Sequence, residues 1–150
     1  MITARRDDVH RDHAGPPAAA VNTDGQPFRW EGRAIADRLT EVRRAIQSWA
    51  EHAGLPGDLI DELALASYEA MANVAEHAYV GRQPGMLSVL VSASSGLVDV
   101  LIADQGKWQE PDAGARFRGR GLLLIRALAA DVTVTATDLG TTVRMRWHRD

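Results

Sequence analysis

Residues 86–104 read MLSVLVSASSGLVDVLIAD, and this stretch decides the fold class. Met86–Ala93 and Leu97–Ala103 are apolar, valine-rich runs on either side of Ser94-Ser95-Gly96. Two such runs across a short Gly-containing turn read as a β-hairpin. A second pair of alternating runs, Val132–Thr137 and Thr142–Trp147, flanks Asp138-Leu139-Gly140 and reads the same way. A short strand is expected at Pro27–Trp30.

The rest of the periodic sequence is helical. Ile35, Leu39, Val42, Ile46 and Trp49 recur at helical spacing, and Gly54 and Pro56 close the pattern, so a helix is predicted over Ile35–Ala53. A longer helix is predicted from about Pro56 to Tyr79, with Asp58, Asp61 and Glu62 near its positive end. Its interior (Leu63-Ala64-Leu65-Ala66, Ala70-Met71-Ala72, Val74-Ala75) is small almost all round, as suits close packing on more than one side. A third helix is expected at about Gly121–Ala129. The order is helices, hairpin, loop, helix, hairpin. It predicts an α+β fold, a two-layer α/β sandwich whose mostly antiparallel sheet is covered on one face by helices.

Composition narrows the function classes. A chain of 150 residues, 45% hydrophobic, is one domain with one core. The net charge of −3 is well mixed in sign, which argues against the basic footprint of a general nucleic-acid binder. With no cysteine, disulfides, Cys-based metal sites and thiol nucleophiles are excluded. No signal-peptide pattern is visible, and no apolar run approaches the ~20 residues that cross a bilayer. The expectation is a cytoplasmic protein without membrane or direct nucleic-acid contact. Residues 1–26, polar and interrupted by Gly15-Pro16-Pro17, are expected to be a disordered tail, leaving 27–150 as the domain. Lys107–Arg118 has no apolar period and reads as a long loop, a length usually functional or mobile.

Four local features carry chemistry. On the long helix, Glu69, Asn73 and His77 are spaced by four, and steps of four rotate about 40° each, so the three share a face. A carboxylate and an amide one turn apart act together: the amide oxygen suits Mg²⁺ beside phosphates, and the carboxylate orients or deprotonates a hydroxyl. A solvated polar stripe is the plainer reading, although Asn is a mediocre helix former for a mid-helix position. Asp104-Gln105-Gly106 ends a strand. There a carboxylate can accept a purine amino group and the glycine leaves room for the ring; an ordinary turn explains it too. Arg118-Gly119-Arg120-Gly121-Leu122 leads into an apolar helix, offering backbone N–H groups, a positive helix end and cationic donors to phosphate. It is neither a Walker A sequence nor a dinucleotide fingerprint. Gly140-Thr141-Thr142 opens the last strand with hydroxyls able to bond a base or a water beside it.

Each feature is weak alone, but in this order they resemble the GHKL superfamily of ATP-binding domains, shared by gyrase, the Hsp90 chaperone, histidine kinases and MutL, with its Bergerat-type sandwich. Glu69-xxx-Asn73-xxx-His77 resembles the N box, Asp104-x-Gly106 the first glycine box, Gly119-x-Gly121 the second, and Gly140-Thr141-Thr142 the last. The small single-domain form is similar to the anti-sigma-factor serine/threonine kinases of bacteria. That resemblance implies ATP and Mg²⁺ as cofactors, Asn73 as metal ligand and Glu69 as general base toward a protein hydroxyl. It further implies Asp104 on the adenine amino group with Gly106 against the ring. Arg118, Gly119, Arg120, Gly121 and Leu122 would surround the phosphates, and Thr142, with Thr141, would support the base. The 107–118 loop would be a lid, and His77 would serve packing or ligand contact. One departure stands out: Trp108 occupies the position where many members carry a second glycine.

The implied function is an anti-sigma factor that binds a sigma factor and phosphorylates an anti-sigma-factor antagonist. The alternative is a nucleotide-binding interaction module of the same fold without phosphotransfer. Homodimer or sigma-factor contacts are expected along the first helix, where Arg33, Arg38, Arg43 and Arg44 would meet an acidic partner or simply form a solvated face.

Overall fold

A computed structural model describes residues 25–106 and 116–149, with backbone only for residues 116–120. It contains five strands, β1 (Phe28–Arg33), β2 (Met86–Ala93), β3 (Leu97–Asp104), β4 (Asp131–Thr137) and β5 (Gly140–His148), and three α-helices, α1 (Ala36–His52), α2 (Gly57–Asn73) and α3 (Arg116–Leu128). The strands form one sheet in the order β1-β2-β3-β5-β4, antiparallel throughout. Both predicted hairpins are present. The second is inserted so that β5, not β4, lies beside β3.

Burial explains that choice. In β5, Val143, Met145 and Trp147 point inward and are at most 7% exposed. In β4 only Val132 and Val134 are packed on the core, and Thr133, Thr135 and Thr137 are exposed. A half-polar strand belongs at an edge.

One face of the sheet makes the core. Phe28 and Trp30, then Leu87, Val89 and Val91, then Val98, Val100 and Ile102, alternate inward along β1, β2 and β3. They meet Leu39, Val42, Ile46 and Trp49 of α1, Leu63, Ala66, Ala70 and Met71 of α2, and Ile125 of α3. Helix α2 contacts both other helices, which is why its alanines are buried on several sides. Two buried tryptophans place their only polar atom on a carbonyl: Trp49 Nε1 donates to Gln26 O at 3.0 Å and Trp147 Nε1 to Leu128 O at 2.9 Å.

Two helix boundaries differ from expectation. The α-helical part of the long helix stops at Asn73, and Val74–Ala78 form a π-helical turn. Such turns are rare and concentrate at functional sites. Here the wider winding sets the Ala78 carbonyl against Gly106. Helix α3 starts at Arg116, well before Gly121. A glycine inside a helix costs only about 1 kcal/mol, so two of them do not prevent the extension. The expected tail up to residue 24 and the loop with Trp108 up to residue 115 lie outside the described residues. Residues 116–118, expected to end that loop, are helical.

Candidate functional site

The middle of α2 supplies the first wall of the site. Glu69 and Asn73 are half-buried, one turn apart. His77 follows on the π turn, also half-buried, with Nε2 3.4 Å from Glu76 Oε2. The last step of four, from Asn73 to His77, therefore runs along the π turn and not along regular α-helix. Across from Asn73 stands α3. A Cβ on Gly121 would lie 2.8 Å from Asn73 Oδ1 and 2.9 Å from Nδ2, so the missing side chain lets the two helices close around the carboxamide.

The early start of α3 changes the expected phosphate contacts. An α-helix leaves only the N–H groups of its first turn free, here including those of residues 116–118. The amides of Arg120, Gly121 and Leu122 sit inside the helix rather than at its entry. Gly121 is buried and Leu122 half-buried, while the side chains of Arg118 and Arg120 are outside the described residues.

The opposite end of the site is built where β3 ends beside β5. Asp104 pairs with Thr141 across the ladder, and both are in phase with the inward-facing residues of their strands. Asp104 Oδ1 accepts the Gly106 N–H at 2.9 Å. Burial raises the carboxyl pKa above the ordinary aspartate value, against the lowering influence of the Gly106 and Thr141 N–H groups. Thr141 is 4% exposed, and its Oγ1 has no hydrogen-bond partner among the described residues. Gly106 is buried against the Ala78 carbonyl, which a Cβ there would overlap. Gly140 has φ 145° and lies against the Asp104 carbonyl, a backbone that admits glycine alone.

Thr142 is not part of this corner. It pairs with Ala103 on the other face of the sheet, beside Leu101 and Arg144. Alternation from Val143, Met145 and Trp147 puts Thr141 inside and Thr142 outside. Tyr79 was missed by the sequence reading. Its hydroxyl donates to Met86 O at 2.6 Å and accepts the Gln105 N–H at 2.9 Å.

Of the arginines expected along the first helix, Arg33 instead ends β1, and three of the four engage their own chain. Arg33 Nη1 donates to Pro84 O at 3.0 Å, Arg38 lies 3.9 Å from Glu41, and Arg43 stacks 5.5 Å from the centre of the Tyr68 ring.

An antiparallel sheet with helices on one face, and a carboxylate–amide helix facing a glycine-lined strand end, defines a GHKL-type nucleotide-binding sandwich. The chain belongs to the histidine kinase-like ATPase domain family, whose profile matches residues 33–147. It is similar to the serine-protein kinase RsbW of Oceanobacillus iheyensis, at 27% identity over 108 residues, covering 62% of this chain and 68% of that one. Among solved structures it resembles the RsbU and RsbW domains of a Mycobacterium tuberculosis protein, with a TM-score of 0.68 at 22% identity. That match covers 83% of this chain but 33% of the other, so the chain spans about a third of that structure. The kinase domain of a blue-light activated histidine kinase from Erythrobacter litoralis aligns with a TM-score of 0.54 at 18% identity, over 88% of this chain and 67% of that one. At these identities the structural likeness carries the fold. No helix among the described residues is long and apolar enough to cross a membrane.

The Gly121–Asn73 contact yields a test. Gly121→Ala is expected to displace the Asn73 carboxamide while costing less than about 1 kcal/mol of stability, because the obstructing atoms end a movable side chain. Magnesium-dependent nucleotide affinity should fall about tenfold. Unchanged affinity with and without Mg²⁺ would count against Asn73 as a metal ligand.

Proposed function

We propose that the chain binds Mg-ATP between α2, α3 and the β3–β5 end of the sheet, and passes the terminal phosphoryl group to a serine or threonine hydroxyl of a protein. On this reading it is a cytoplasmic anti-sigma factor. It holds a sigma factor while the antagonist is phosphorylated, and unphosphorylated antagonist captures it and frees the sigma factor.

The observation that carries the reading is the corner of Asp104, Gly106 and Thr141. A carboxylate that burial makes costly to ionise stands beside a buried threonine hydroxyl without a partner among the described residues. Isolated, this arrangement is unfavourable. A purine amino group donating to Asp104, with the ring over Gly106 and Thr141 bonding the base directly or through water, would satisfy it. Serine or threonine as the acceptor, and the sigma-factor circuit, rest on the similarity to RsbW.

The residues present also fit a metal. Among the described residues no group of three or more His, Asp or Glu is placed to hold an ion by itself. Mg²⁺ binds well through one protein oxygen plus phosphates, and Asn73 Oδ1 is such an oxygen. When bound, the ion neutralises charge on the phosphates. Glu69, one turn before Asn73, would take the proton of an acceptor hydroxyl. The free amides at the start of α3, with the cationic side chains of Arg118 and Arg120, would hold the phosphates. Any homodimer would use α1.

Calorimetric titration with ATP and ADP, with and without Mg²⁺, tests the site. Asn73→Ala should weaken only the magnesium-dependent part, and Asp104→Asn should abolish binding. The same Asp104→Asn protein should melt no lower than the parent. A raised folded-state pKa means that ionised Asp104 opposes folding above that pKa, and that this opposition disappears below the ordinary aspartate value. ATP binding by Asp104→Asn at parental affinity would sink the base-recognition reading.

A further inference from the structure

The Tyr79 hydroxyl joins three segments that are far apart in the chain. Tyr79 ends the π turn that follows Asn73. Its oxygen donates to Met86 O, the first residue of β2, and accepts the N–H of Gln105, the residue between Asp104 and Gly106. The ring packs directly against Gly85, where any Cβ would overlap it. Burial raises the phenol pKa, against the Gln105 N–H and with the nearby Asp104 charge adding to the rise. At neutral pH the hydroxyl is therefore protonated and able to donate and accept at once.

The consequences fall on Asp104. The turn after β3 has two backbone amides to place. The Gly106 N–H goes to Asp104 Oδ1, and the Gln105 N–H goes to Tyr79. With Gln105 tied, the carboxylate keeps one fixed orientation toward Gly106 and presents its remaining acceptor capacity to the site. Without that tie the Gln105 N–H is free to turn, and Asp104 turns with it. The same residue fixes the spacing to the metal end, because Tyr79 lies six residues after Asn73, on the turn whose Ala78 carbonyl abuts Gly106.

We infer that Tyr79 is a positioning residue for base selection: through Gln105 its hydroxyl holds the Asp104 carboxylate in the orientation that accepts the exocyclic amino group of a purine. The inference rests on the nucleotide reading of the site, and its test separates the two. Tyr79→Phe keeps the ring against Gly85 and removes only the hydroxyl. Two probes are titrated in parallel, ATP and purine riboside triphosphate, which lacks the 6-amino group.

In Tyr79→Phe, ATP should bind about tenfold more weakly, as expected for one lost orienting hydrogen bond, while the affinity for purine riboside triphosphate changes less than about twofold. A purely structural role would weaken both probes alike, and that result overturns the assignment, as does an unchanged ATP affinity. Gly85→Ala, which displaces the ring with the hydroxyl retained, gives a second reading and should show the same selective loss of ATP; equal loss of both probes there also counts against it. Absence of ATP binding by the unsubstituted protein would instead overturn the nucleotide reading itself.

Discussion

Replacing Gly106 by alanine is expected to abolish ATP binding and to lower the melting temperature by about 10 °C. The added methyl has nowhere to go. It would overlap the Ala78 carbonyl, which belongs to the π turn and cannot rotate away as a side chain would. Either the turn or the end of β3 must shift, at a cost of roughly 3 kcal/mol for overpacking against backbone. Both shifts act on the same place, since Asp104 Oδ1 is bonded to the Gly106 N–H and Tyr79 to the Gln105 N–H. Gly96→Ala is the matched control. It lies in the β2–β3 turn without a positive φ, a Cβ there meets nothing within 4 Å, and neither stability nor binding should change. Thermal melts and calorimetry on both variants decide the matter. A Gly106→Ala protein that melts lower yet binds ATP normally would show that the close approach to Ala78 serves packing alone.

The contrast between these two glycines also shows what the sequence makes legible. Gly96 is visible as a turn residue because its neighbours, two alternating apolar runs, declare the hairpin around it. The register of β2 with β3, the inward set of Val98, Val100 and Ile102, and the spread of small residues on α2 all follow from local periodicity. The order of Glu69, Asn73, Asp104, Gly106 and Gly121 is legible as a family resemblance. What the periodicity does not contain is contact between the ends of elements. The π turn at Val74–Ala78 follows an unbroken helical pattern, and its geometry fits the strand end it abuts. Tyr79 acts on a residue 26 positions away. The early start of α3 went unseen because Gly119 and Gly121 look like a helix entrance, although helices tolerate them. The placement of Thr142 was a different kind of miss. The inward phase of Val143, Met145 and Trp147, counted back along β5, already puts Thr141 on the core face and Thr142 on the other.

Glu69→Gln is expected to reduce phosphoryl transfer by a factor of about 10²–10⁴ while leaving the ATP dissociation constant within about twofold. Glutamine matches the shape of glutamate and keeps a hydrogen-bonding oxygen, so it can still orient a hydroxyl, but it cannot take up the proton. Position supports separating these effects. Glu69 is half-buried and stands a full turn from Asn73, toward the start of α2, whereas the base corner of Asp104, Gly106 and Thr141 lies beyond the other end of the helix. The base-binding contacts therefore do not include it, and the kinetic loss should appear in the transfer step alone. Transfer of radiolabelled phosphate to a serine-bearing antagonist protein measures the rate, and calorimetry measures the binding. Near-parental transfer by Glu69→Gln would withdraw the general-base role. Loss of transfer and ATP binding together would move Glu69 into the nucleotide site. If the unsubstituted protein binds ATP tightly but transfers nothing to any antagonist, the domain is a nucleotide-gated binding module, and Glu69 then has no proton to accept.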